Sequence, residues 1–245
     1  MQMLNIKTLG AKLGMNEIAL FLTIMIVFLA PFSGGARPAT MLLAIVGLIM
    51  FLVHKKLLYQ NQSVKRWGLV FLMLWIPMWV SLVGAYDTKN TLSAIAWFSI
   101  LYFSGVAIVQ ALQQQRFRTF FKLCMVLIAA LWFLDSTVQY LFGKDLIGRP
   151  MSADGRVTGP FTDLHQGIIL ATVLPLISYY FFEVKKFWLA IVCMLAVGLL
   201  MVLSGSRGYL YIFMLLILGM IIHQKLSLKK SALLLSLPFI VAISS

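Results

Sequence analysis

The sequence predicts an all-α fold: a polytopic helical integral membrane protein with about nine transmembrane helices. Of its 245 residues, 62% are hydrophobic and 11% charged, against about a quarter charged in an ordinary soluble domain. Mean hydropathy is +0.98. The apolar residues also recur in runs close to the roughly 20 residues that cross a bilayer as a helix. Finally, these runs lack the period-two alternation of transmembrane barrel strands.

In order, the runs read as crossings over residues 17–32, 38–53, 67–85, 91–112, 119–142, 166–182, 187–203, 209–222 and 231–245. Basic residues bound them alternately. Lys7 and Lys12 precede the first crossing, and "HKKLLYQNQSVKRW" separates the second from the third. "QQQRFRTFFK" separates the fourth from the fifth, "EVKK" the sixth from the seventh, and "HQKLSLKK" the eighth from the ninth. These segments hold fourteen of the 20 Lys and Arg; the other six are Arg37, Lys89, Lys144, Arg149, Arg156 and Arg207, in the intervening connections. The positive-inside rule then places the N-terminus in the cytoplasm and those six residues outside. The net charge of +13 is thereby a topology signal and a contact for anionic membrane lipids. It is no nucleic-acid footprint. Residues 1–36 have the outline of a signal peptide, but the first run fits the alternation as a retained crossing. Residues 1–142 form an N-terminal set of helices. Residues 143–245 form a second region with an outer connection, 143–165, and an outer turn, 204–208.

Cys124 and Cys193 lie inside apolar runs without metal-ligand spacing and read as small core residues. Only Lys122 and Asp135 place charge inside a run, where it costs on the order of 2.5–3.5 kcal/mol at mid-helix. Lys122 lies near a helix end and can snorkel. Asp135 lies about two turns from the outer end, too shallow for a proton path, and reads as a partner for an outer arginine.

The outer connection, "GKDLIGRPMSADGRVTGPFTDLH", carries Lys144, Asp145, Arg149, Asp154, Arg156, Asp163 and His165 among glycines and prolines that break helix. Irregular backbone at membrane depth is tolerated where it borders a watery cavity. Further on, "SGSRGY" places Arg207 in a turn between runs of 17 and 14 residues. At 1.5 Å per residue both are short for a core of about 30 Å. Arg207 is therefore expected at or below the lipid headgroups, where its guanidinium needs an anion. A lipid phosphate is the plain choice. Alternatively, Arg156 and Arg207 together hold a phosphorylated lipid substrate, with flanking glycines admitting it to the backbone.

The order and side of "GRVTGPF" and "SGSRG" resemble the bacterial O-antigen ligase and O-antigen polymerase family, related to pilin and protein O-oligosaccharyltransferases. The likeness covers mainly residues 156–222; the earlier crossings match in number and orientation. It implies a glycosyltransferase of the bacterial inner membrane with its active face periplasmic. The donor would be a glycan linked to undecaprenyl pyrophosphate and, for a ligase, the acceptor would be the lipid A–core sugar. The two motif arginines map onto Arg156 and Arg207 as holders of the donor pyrophosphate, with Asp163, His165, Asp135 and Arg149 as possible support. No cofactor and no metal is expected; the cationic side chains would stabilise the leaving pyrophosphate. The family's large periplasmic loop, with its proposed base histidine, has no counterpart up to Ser245, so the chain is expected to be part of a longer enzyme. His165 is not that histidine, and the catalytic base is unassigned. Within the family, polymerase or oligosaccharyltransferase activity is the alternative. From other classes, the rivals are a transporter or flippase, which calls for charge near mid-membrane, and a non-catalytic subunit of an envelope-polymer pathway.

Overall fold

The structure, a computed structural model, describes residues 6–32, 34–55, 60–161, 166–205, 207–224 and 230–236; side chains are described from Gly14 onward except at 166–168, 207–210 and 223–224. The chain is an all-α membrane protein. Its helices are α1 (Ile6–Leu29), α2 (Ala36–Val53), α3 (Gln62–Ser81), α4 (Thr88–Ala111), α5 (Gln115–Phe142), α6 (Gln166–Glu183), α7 (Phe187–Leu203) and α8 (Arg207–Gln224), with a 3-10 turn at Leu82–Gly84. Residues 230–236 are helical again. Among the described residues there is no strand, only an isolated bridge between Lys144 and Pro150.

Among the described residues, four helices are long and apolar enough to cross a membrane: Ala36–Val53, Gln62–Gly84, Thr88–Ala111 and Gln115–Phe142. Four more apolar helical stretches are shorter: Gly14–Leu29, Ile169–Glu183, Phe187–Leu203 and Tyr211–Ile222. The expected nine full crossings are thus fewer among the described residues. Helix α7 spans 17 residues, α1, α6 and α8 have side chains described only over Gly14–Leu29, Ile169–Glu183 and Tyr211–Ile222, and the run at 231–245 is described only to residue 236.

Two compact units divide the chain, one of Met1–Leu29 with Gly34–Arg118, the other of Ala30–Ser33 with Thr119–Ser245. In the first, α2 packs on α1 and α4, and α3 packs on α4. Between helices in lipid there is little hydrophobic drive, so close backbone approach and polar contacts carry the packing. Gly47 allows it: a methyl group there would lie 1.9 Å from the Phe103 carbonyl oxygen. Gly105 makes room in the same way for the Trp67 ring. Trp67 Nε1 donates to the Tyr102 carbonyl at 3.0 Å and Trp75 Nε1 to Ser99 Oγ at 2.9 Å. The outward face of α3 exposes Leu69, Met73, Ile76 and Val80, a surface that suits lipid and not water.

The second unit packs α6, α7 and α8 against one another through buried Ala171, Leu174, Ile177, Met194, Val197, Met201, Phe213 and Ile217. Helix α5 is tied to α6 by Lys122, whose buried ammonium meets Glu183 Oε2 at 2.6 Å and the Tyr179 ring face at 4.3 Å. The expected snorkelling of Lys122 is replaced by this ion pair.

Candidate functional site

The connection after α5 is a stack of three small turns, each closed by a side chain. Helix α5 ends at Gly143, whose φ of +77° is the left-handed cap that glycine adopts without penalty. The first turn runs back on itself through Asp145 N–H to the Arg149 carbonyl (2.9 Å) and Met151 N–H to the Gly143 carbonyl (3.3 Å). Asp145 Oδ1 accepts from the Ile147 and Arg149 amides at 3.0 and 2.6 Å. Asp135, on α5, accepts from the Leu146 amide at 2.8 Å. Both carboxylates are buried, and their second oxygens have no hydrogen-bond partner among the described residues. The second turn is closed by Ser152, whose N–H reaches the Arg156 carbonyl at 3.0 Å and whose Oγ accepts from the Arg156 amide at 3.1 Å.

Gln139 organises the third turn. Its Oε1 accepts from the Thr158 and Gly159 amides, both at 2.8 Å, and its Nε2 donates to the Pro150 carbonyl and Thr158 Oγ1, both at 3.1 Å. It is fully buried, and all of its described contacts are to the connection. Gln139 lies four residues after Asp135, on the same helix face, so the pair grips the connection at two successive heights. Trp132 extends that face and meets Phe161 edge-on at 5.2 Å. "VTGPF" is thereby buried throughout, from Val157 to Phe161. Sequence reading did not single out Gln139; a lone amide at i+4 from a carboxylate in an apolar helix was the available signal.

This buried stretch joins the two arginine motifs. The Val157 amide donates to the Leu203 carbonyl at 3.1 Å, tying the connection to the last turn of α7. Helix α7 then closes at Gly205, with φ +70° and its amide on the Val202 carbonyl at 2.8 Å. Arg156 lies across that glycine: a methyl group on Gly205 would sit 2.7 Å from Arg156 Cδ and 2.8 Å from Nε. The guanidinium end remains accessible, with its side chain 42% exposed and 4.0 Å from the more exposed Asp154 carboxylate.

Arg207 follows two residues after Gly205. It was expected in a turn, but it opens α8, because the left-handed Gly205 reverses the chain within a residue or two. A cation in the first turn of an 18-residue helix adds to the positive end of the helix dipole, where unpaired N–H groups also favour anions. The side chain of Arg207 lies outside the described residues, as do Asp163 and His165. Arg149 turns elsewhere: its Nη1 donates to the Pro160 carbonyl at 2.8 Å and its guanidinium lies 5.8 Å from the Phe32 ring centre. Asp135, expected to partner an arginine, makes no ion pair among the described residues and holds the Leu146 amide through one oxygen. Both residues thus shape the connection. Among the described residues no group of three or more His, Cys, Asp or Glu side chains is placed to hold a metal ion.

Comparison with protein-family models, curated proteins and solved structures gave no match.

Proposed function

We propose that the chain binds the donor of a membrane glycosyltransferase of the O-antigen ligase and polymerase kind. Its donor is a glycan on undecaprenyl pyrophosphate, and its acceptor is the lipid A–core sugar. The observation that carries this reading is the Arg156–Gly205 contact, which brings "DGRVTGPF" to the turn that starts the Arg207 helix. The two motifs behind the family resemblance are neighbours in space, at one end of α7.

In the transfer, an acceptor hydroxyl oxygen bonds to the anomeric carbon of the donor. The bond from that carbon to the pyrophosphate breaks, and the electron pair leaves on the pyrophosphate. Guanidiniums at 156 and 207, with the α8 N-terminus, would take up the charge that develops on the leaving group. The proton of the acceptor hydroxyl goes to a base not assigned among the described residues. By the positive-inside rule this end of α7 faces the periplasm of the bacterial inner membrane. A transporter or flippase calls for charge near mid-membrane, and only Lys122 and Asp135 place charge inside an apolar run, each toward a helix end.

Deleting the gene and resolving the cell's lipopolysaccharide on a gel tests the reading. Ligase activity predicts loss of the long-chain ladder with accumulation of the lipid-linked glycan. A collapse of the ladder to one repeat identifies a polymerase, and loss of glycan from a protein alone identifies an oligosaccharyltransferase. No change in any glycan product would overturn the assignment.

A further inference from the structure

At the opposite end of α7 from Gly205, roughly 25 Å away along 17 residues, the second unit carries a separate cavity of about 600 Å³. Three lysines line it, Lys185 and Lys186 from the turn between α6 and α7, and Lys230 from the helical stretch beyond α8, together with Phe187, Trp188 and Leu189. The geometry points to a binding site for one anionic diacyl phospholipid.

Among the described residues, like charges converge here without a neutralising acid. Glu183, the acidic residue nearest in sequence, is engaged by the ammonium of Lys122. Among the described residues none of the three lysines has a carboxylate within ion-pair distance. Lys230 Nζ is held 5.0 Å from the Phe187 ring centre, a cation–π contact. The turn itself is unusual: the Lys186 amide bonds back to the Phe181 carbonyl at 2.8 Å, and Lys185 has φ +58°. That helix-closing geometry ordinarily takes glycine; Lys185 is the one non-glycine with positive φ among the described residues. A lysine therefore occupies a position where local backbone energy favours a residue without a Cβ.

The occupant is a lipid and not a free phosphate because the cavity opens onto an apolar track. Trp188 is 70% exposed, and Val192 and Leu199 follow it down the same face of α7 at 58% and 42%. An indole at the mouth suits the headgroup level, and the aliphatic stripe below suits acyl chains. Basic pockets between helices take phosphate headgroups in this way. This site does not depend on the glycosyltransferase reading.

The test is native mass spectrometry of the full-length protein in mild detergent. Phosphatidylglycerol, phosphatidylethanolamine and inorganic phosphate are each offered as probes. One phosphatidylglycerol should be retained per chain, at least about tenfold better than phosphatidylethanolamine, and millimolar inorganic phosphate should not displace it. The triple variant Lys185→Gln, Lys186→Gln, Lys230→Gln should lose that preference. Arginine at the same three positions should keep it, as should the control Lys55→Gln, Lys65→Gln, Arg66→Gln. Undiminished preference in the glutamine triple variant, equal retention of both lipids by the wild type, or displacement by phosphate would overturn the site. If the glutamine variant fails to fold, the wild-type preference and the arginine variant decide it.

Discussion

Arg156 lies over Gly205, so closely that a methyl group at 205 would come within 2.7 Å of Arg156 Cδ. That glycine has two tasks: it takes a φ of +70° and leaves the space the arginine fills. Gly205→Ala should therefore cost more than the roughly 1 kcal/mol of an ordinary left-handed alanine. Thermal unfolding in detergent should show it, and Arg156→Ala should recover part of the loss in the double variant. Additive effects of the two changes would mean that the contact carries no energy.

Gln139→Leu should loosen the connection without touching the arginines. It leaves the Thr158 and Gly159 amides buried without their acceptor, at a cost of about 1–3 kcal/mol each. Trypsin should then cut faster after Lys144 or Arg156. A wild-type cleavage pattern would show that the amide does not hold this segment.

At Asp135 the accepting oxygen and the charge can be separated. Asp135→Asn keeps an acceptor for the Leu146 amide, whereas Asp135→Ala removes it. A structural role predicts that the asparagine variant melts close to wild type and the alanine variant is destabilised by about 1–3 kcal/mol. Equal loss of glycan transfer in both, at normal stability, would point instead to a role for the negative charge.

The fourteen-to-six division of basic residues predicts that residues 152 and 229 lie on opposite faces of the membrane. Single cysteines there, in a background lacking Cys124 and Cys193, report it through an impermeant maleimide in intact spheroplasts. Ser152→Cys should label and Lys229→Cys should not. The reverse pattern would invert the orientation.

The helices were legible because apolar runs with basic ends are a strong, local signal. So was the irregular backbone after residue 142, from its glycines and prolines. Three things were not legible. Arg207 belongs to α8 and not to a turn, since Gly205 alone reverses the chain and a boundary moves by two residues. The backbone partners of Asp135 and Arg149 were hidden because a convoluted connection offers many amides and carbonyls near each carboxylate or guanidinium. Gln139 was overlooked because a neutral amide in an apolar run carries no charge penalty to draw notice. Its role exists only once the chain has folded back across α5. The sequence joined Arg156 to Arg207 only through a shared phosphorylated ligand and a family resemblance; the buried "VTGPF" segment supplies the physical cause of Arg156 lying over Gly205.

The most direct test of a shared pyrophosphate site is glycan transfer by Arg207→Lys in the full-length protein, at matched protein level. Lysine keeps the charge but loses the planar two-pronged fork. If the fork positions a leaving pyrophosphate, the rate should fall by about one to two factors of ten, the kinetic equivalent of roughly 1.5–3 kcal/mol for a charge-assisted contact. Transfer at the wild-type rate would contradict it and leave Arg207 as a lipid anchor.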